Sequence, residues 1–157
     1  MKRTQLLKSL MSNLQNGSDG KDFSRISIKI SKELNISDED KKLIKNFCDL
    51  CSNMLDMEGD YDCFLSADRK KAKIVTTAIC SLSENNIKIY CRDRALADIL
   101  RSIAHEMFHL KQNELNLIHR KKTKEHHLSP IEWHANVAGG SLLSYFAQKV
   151  GKDKIYR

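Results

Sequence analysis

The sequence predicts one α+β domain formed by residues 1–157. Segments with apolar residues at helical spacing are interspersed with short segments that alternate polar and apolar residues, and no linker, repeat or low-complexity stretch divides them. A length of 157 residues fits one domain. With 41% apolar and 30% charged residues, the chain can bury a core without disulfide or metal staples.

The first third of the chain is predicted to hold two helices and one strand. Leucines recur at helical spacing in residues 1–14. Residues 25–30 alternate between polar and apolar, the pattern of a half-buried strand. Ser37 is a predicted N-cap, followed by an acidic first turn, for a helix that runs over residues 38–57 and closes at Gly59.

The remainder is predicted to hold three strands and two long helices. The strands are expected at residues 61–66, 73–82 and 87–92. A turn at residues 83–86 joins the last two as an antiparallel hairpin. Asp93 is a predicted cap for a helix over residues 94–114. Ser129 and Pro130 mark the start of the last helix, with proline at its first position.

The chemically informative segment is His-Glu-Met-Phe-His at residues 105–109. Histidines at i and i+4 lie on one helix face, so both rings can reach one metal ion. A glutamate directly after the first histidine can act as general base on a water molecule beside that ion. On the same helix, His105 and His109 lie about 160° or more from the centre of the apolar stripe, so they face a second surface.

A catalytic zinc ion usually has three protein ligands, and the last helix offers the third. The metzincin pattern would need glycine at position 112 and histidine at position 115, where this chain has Gln112 and Leu115. Glu132 in the last helix is the predicted third ligand. Gly139 and Gly140 would let that helix approach the histidine helix closely.

The sequence also allows another role for Glu132 and other third ligands. Ser129 and Glu132 also form a capping-box pattern, in which the glutamate side chain would return to the serine amide. Four histidines are alternative third ligands: His119, His126, His127 and His134.

The motif at residues 105–109, together with Ser-Pro-Ile-Glu-Trp-His-Ala-Asn at residues 129–136, resembles the gluzincin metallopeptidases. The similarity is greatest to small intracellular members, the ImmA/IrrE-type and phage-type minimal zincins, and spans roughly residues 87–146. The resemblance implies His105, His109 and Glu132 as ligands of one Zn²⁺ per chain and Glu106 as general base. It places Asn136, where many relatives have aspartate, as the group that orients a ligating histidine.

The resemblance also implies an architecture and further contacts. A small twisted mixed β-sheet would pack against the active-site helix and the glutamate-bearing C-terminal helix. An edge strand of that sheet, either residues 87–92 or its hairpin partner, would pair with an extended protein or peptide substrate. Tyr145, His134 and His127 are candidates for contacting the oxyanion or the substrate.

Cysteine usage and the N-terminal residues predict an intracellular, cytoplasmic protein. Five cysteines without regular spacing do not indicate a secreted disulfide framework. Cys48 and Cys51 have the spacing of a zinc pair but lack a second pair, so buried apolar thiols are expected. The basic N-terminus lacks a continuous apolar segment, and no run of residues is long enough to span a membrane.

The sequence also allows two other functions. A zincin-like domain could act only by binding, as a regulator or scaffold. The net charge of +7 permits a protease associated with nucleic acid, but the basic clusters at residues 69–71 and 120–124 lack interleaved aromatic residues. No phosphate loop, nucleophile elbow or dinucleotide fingerprint is present.

Overall fold

The computed structural model describes residues 2–17, 26–67, 77–118 and 129–157. These residues form five helices and four strands. The helices are α1 (Arg3–Asn16), α2 (Asp38–Met54), α3 (Leu96–Glu114), α4 (Pro130–Val150) and α5 (Lys152–Ile155). The strands are β1 (Ile26–Ile30), β2 (Tyr61–Ser66), β3 (Ala78–Ser81) and β4 (Asn86–Tyr90).

The four strands form one mixed sheet in the order β1-β2-β4-β3. β1 pairs with β2 and β2 with β4 in parallel, whereas β3 pairs with β4 in the antiparallel direction. The predicted α+β class, the mixed sheet and the hairpin are therefore confirmed. β4 lies inside the sheet, and β3 is an edge strand among the described residues.

The core lies between the sheet and the helices. Alternate residues of β2 and β4 are buried on one face, including Cys63 and Ile89. α3 contacts β3, β4 and α2, and α4 packs on α3. Phe47 of α2 and Phe146 of α4 pack edge to face, with ring centroids 5.1 Å apart, and tie the second half of α4 to α2.

Two predicted helix boundaries are wrong. α2 ends at Met54 rather than near residue 57, and Asp56, with φ of 50°, takes the left-handed conformation expected of Gly59. Asp93 also has a positive φ of 58° and lies in the turn before α3, whose N-cap is Ala95. Aspartate tolerates a positive φ better than most residues, so Asp93 can lie in the turn before α3 without acting as its N-cap.

Several predicted features lie outside the described residues. They are residues 73–76 of the predicted third strand, the basic clusters at 69–71 and 120–124, and His119, His126 and His127. Among the described helices, none is both long enough and apolar enough to cross a membrane. Cys48 and Cys51 are buried free thiols, as predicted.

Candidate metal centre

The two candidate histidines lie near the middle of α3. The helix has no glycine or proline, and it is buried on almost all sides from Ala104 to Gln112. His109 is 6% exposed, and the His105 side chain is 18% exposed. The histidine face predicted to lie opposite the apolar stripe is therefore covered largely by α4.

The first turn of α4 orients Glu132 toward α3. The Ser129 hydroxyl caps the helix by accepting a hydrogen bond from the Glu132 amide at 3.2 Å, and Pro130 takes the first helical position. The Glu132 side chain does not complete a capping box. Its carboxylate points at the two histidines instead.

His105, His109 and Glu132 form one compact group. Glu132 Oε2 lies 3.0 Å from His105 Nε2, and Glu132 Oε1 lies 2.9 Å from His109 Nε2. The two Nε2 atoms are 3.1 Å apart, and the rings meet edge to face with centroids separated by 4.7 Å. Among the described residues, this is the one group of three or more such side chains close enough to bind a single metal ion.

The donor separations fit a shared ion. Donors placed about 2.0–2.2 Å from one zinc ion in tetrahedral arrangement lie roughly 3.3–3.6 Å from each other. The separations of 2.9–3.1 Å are slightly shorter, because these atoms contact each other directly. Two imidazole nitrogens and one carboxylate oxygen leave a fourth position for water or substrate.

The contacts within this group also shift the pKa values of Glu132 and His109. Hydrogen bonds from His105 and His109 hold the pKa of Glu132 well below its usual range and outweigh the effect of burial. Burial acts to lower the pKa of His109. The hydrogen bond to Glu132, the charges of Glu106 and Glu132, and the hydrogen bond to Gln112 nevertheless raise that pKa above its ordinary value of 6.5.

Glu106 is buried next to the histidine pair. It is 8% exposed, and its charge is one of the causes that raise the pKa of His109.

The group that orients a histidine differs from the one predicted. His109 Nδ1 lies 2.8 Å from Gln112 Oε1, whereas Asn136 is exposed and makes no hydrogen bond to His105 or His109. Asn136 follows Glu132 by about one turn of α4, but its side chain lies on the solvent side. The spacing of Gln112, three residues after His109 on one helix face, is the sequence signal that could have identified it.

Two predicted oxyanion contacts lie away from the group. Tyr145 is almost four turns further along α4, roughly 20 Å from Glu132 along the helix axis. His134 is two residues after Glu132, so it projects from nearly the opposite side of the helix. Burial and the charge of Arg3 lower the pKa of His134. The third candidate, His127, lies outside the described residues.

One of the two glycines in α4 permits the close approach of α3. A Cβ atom at Gly139 would lie 3.1 Å from the Arg101 carbonyl oxygen and 3.5 Å from the His105 amide nitrogen. A Cβ atom at Gly140 would meet nothing within 4 Å in the described part of the chain. Gly139 therefore provides the predicted close packing, and Gly140 does not.

No protein-family model, curated protein or solved structure matches this chain.

Proposed function

We propose that this chain is a zinc-dependent endopeptidase of the minimal zincin type. The observation that carries the proposal is the contact of the Glu132 carboxylate with the Nε2 atoms of both His105 and His109, at 3.0 and 2.9 Å. Two histidines and one glutamate are a ligand set of catalytic zinc sites. The buried Glu106 beside this set adds the general base that such a site requires.

The architecture around the site agrees with the proposal. α3 lies between the sheet and α4, so the helix with both histidines contacts both the edge strand β3 and the helix with Glu132. β3 is antiparallel to β4, and in the described part of the chain only one side of β3 is paired. An extended peptide could add to its free side through backbone hydrogen bonds.

The proposed reaction is hydrolysis of a peptide bond. His105, His109 and Glu132 would hold the ion, which supplies a Lewis acid that polarises the scissile carbonyl and lowers the pKa of water toward ~7. Glu106 takes a proton from the attacking water, whose oxygen bonds to the carbonyl carbon. Glu106 then returns the proton to the amine nitrogen as the carbon–nitrogen bond breaks.

Elemental analysis of the protein purified without a chelator or a histidine tag tests the site. We expect one zinc per chain in the wild type and a weakened or lost ion in Glu132→Ala. Glu39→Ala, which removes an exposed carboxylate on α2, is the control and should keep its zinc. A wild-type protein that takes up no zinc when offered it would refute the proposal.

Cleavage of a proteome-derived peptide library, read by mass spectrometry, tests the reaction. Glu106→Gln should reduce cleavage by about 10²–10⁴-fold, because a general base of this kind typically contributes that factor. Its zinc content should remain that of the wild type. Cleavage by Glu106→Gln at the wild-type rate would show that the mechanism is wrong. A zinc-loaded wild type that cleaves no peptide would favour a zincin-like binding protein.

A further inference from the structure

Gln112 connects the two helices that carry the candidate ligands. It is 1% exposed and lies one turn after His109 on α3. Its Oε1 atom is 2.8 Å from His109 Nδ1, and its Nε2 atom is 3.4 Å from the backbone oxygen of Ile131 on α4. Ile131 immediately precedes Glu132, so one side chain contacts one ligand directly and the backbone next to another.

These two contacts fix which atom donates and which accepts. The Ile131 carbonyl can only accept a hydrogen bond, so the Gln112 amide nitrogen must face it as donor. The Gln112 oxygen then faces His109 Nδ1 and accepts, so Nδ1 carries a proton. A metal ion bound here would displace the proton from His109 Nε2, the atom that faces His105 and Glu132, while Nδ1 keeps the proton that it donates to Gln112.

We infer that Gln112 is a positioning residue for the metal centre, which sets the tautomer and ring orientation of His109 and holds the first turn of α4 in register with it. The inference rests on the proposed function, since it assigns Gln112 a role toward the same ion. Both hydrogen bonds on which it depends join atoms of the protein itself, so they form without the ion.

The exposed Asn136 provides a matched comparison. The resemblance to gluzincins places the orienting group one turn after the glutamate, at Asn136, yet that residue makes no hydrogen bond to either histidine. This chain instead takes the orienting group from α3 itself, within the same two turns as both histidines. Removal of Gln112 should therefore affect the centre, and removal of the Asn136 side chain should not.

Zinc affinity measured by competition with a chromophoric chelator tests the inference. Gln112→Met has similar length but neither donates nor accepts the two hydrogen bonds, and we expect a 10–100-fold loss of affinity, the usual effect of removing such a partner. Gln112→Glu keeps an acceptor for His109 Nδ1 and should stay closer to the wild type than Gln112→Met. Asn136→Ala should lie within about twofold of the wild type.

A second measurement separates positioning from a general loss of structure. In protein kept in chelator, the His109 Nδ1 proton should give a slowly exchanging imidazole signal by proton–nitrogen NMR, because it is buried and hydrogen-bonded. We expect Gln112→Met to lose this signal, and Gln112→Glu and Asn136→Ala to retain it. Circular dichroism confirms that each variant is folded.

The outcomes are distinguishable. Loss of both affinity and signal in Gln112→Met alone supports the inference. An unchanged signal in Gln112→Met, or an equal loss of affinity in Asn136→Ala, overturns it. If the wild type binds no zinc, the proposed function fails, while the NMR signal still decides whether Gln112 fixes His109.

Discussion

Glu132 contacts two histidine rings at once. Its carboxylate uses one oxygen for each ring, and the side chain is 22% exposed, so water screens these contacts only in part. Gln112 satisfies the other nitrogen of His109. The three proposed ligands therefore stabilise each other in the position from which they would bind an ion, and little rearrangement is needed on binding.

This mutual stabilisation should depend on pH when zinc is removed by a chelator. The pKa of His109 is raised, so its contribution to stability is fully present below 6.5 and is lost as pH rises through the folded-state pKa. The pKa of Glu132 is lowered from 4.5, so its contribution is present above 4.5 and is lost as pH falls below it. The stabilisation should therefore be greatest between these two values.

Urea unfolding in chelator across this range measures the effect. The difference in free energy of unfolding between wild type and Glu132→Ala should be largest between about pH 4.5 and 6.5 and should shrink on both sides. Asp98→Asn, which alters an exposed ion pair on α3, should differ from the wild type by less than ~1 kcal/mol throughout. A difference for Glu132→Ala that is constant with pH would contradict this account.

At the level of single residues, the histidine pair could be predicted because its spacing within one helix is fixed. The positions of His105 and His109 follow from helix periodicity. Glu132 follows from the resemblance, whereas the capping-box pattern favoured another role for its side chain. The contact of Gln112 with His109 follows from helix spacing, but its contact with the Ile131 carbonyl of another helix could not be predicted. Asn136 was assigned by analogy, and its side chain lies on the exposed side of α4.

At the level of elements, the packing of α4 against α3 sets the distance between the ligands. The two helices run antiparallel, since Ile131 lies beside Gln112 and Gly139 lies beside Arg101 and His105. At Gly139, the missing side chain lets α4 approach the backbone of α3 closely. The separation there is transmitted to Glu132, which is two turns earlier on the same helix.

Replacement of each glycine by alanine tests this packing with a matched control. Gly139→Ala should destabilise the protein by about 1–3 kcal/mol, because the new methyl group presses on the backbone of α3, and should also weaken zinc binding. Gly140→Ala should stabilise it by about 0.5–1 kcal/mol, because alanine favours the helix and the site has room. Urea unfolding and chelator competition measure the two effects. Equal behaviour of the two variants would show that close packing at Gly139 does not matter.

The two helix starts marked by a serine cap were predicted correctly. Ser37 and Ser129 cap α2 and α4 as expected, because a cap uses a hydrogen bond between near neighbours in sequence. The end of α2 and the start of α3 were misplaced, because Asp56 and Asp93 adopt left-handed conformations that glycine usually takes. Aspartate gives little sequence signal for this conformation.

At the level of the whole molecule, the strand order could be predicted only in part. The β3–β4 hairpin follows from a short turn, and the sequence indicated it. The parallel pairing of β1 with β2, and of β2 with β4, joins strands distant in the chain and depends on how α2 and the later segments pack on the sheet. Sequence periodicity indicates that a strand exists, but not which strand lies beside it.

The two ends of α4 are anchored differently. The second half packs on α2 through the contact between Phe146 and Phe47. The first turn contacts α3 through Glu132 and through the Ile131 carbonyl, which are the contacts of the candidate centre. Opening of the first turn should therefore be a local event that a bound ion suppresses.

Hydrogen exchange with and without zinc measures this difference. Zinc at about 100 times its dissociation constant should stabilise the folded state by about 2.7 kcal/mol and raise the melting temperature. The greatest slowing of exchange should occur at amides of residues 131–136, whereas amides near Phe146 should slow less, because the packing of Phe146 on Phe47 of α2 already holds that end in place. Glu132→Ala should show neither the rise in melting temperature nor the selective slowing. Equal slowing along the whole of α4 would show that the helix opens as one unit, independently of the ligands on its first turn.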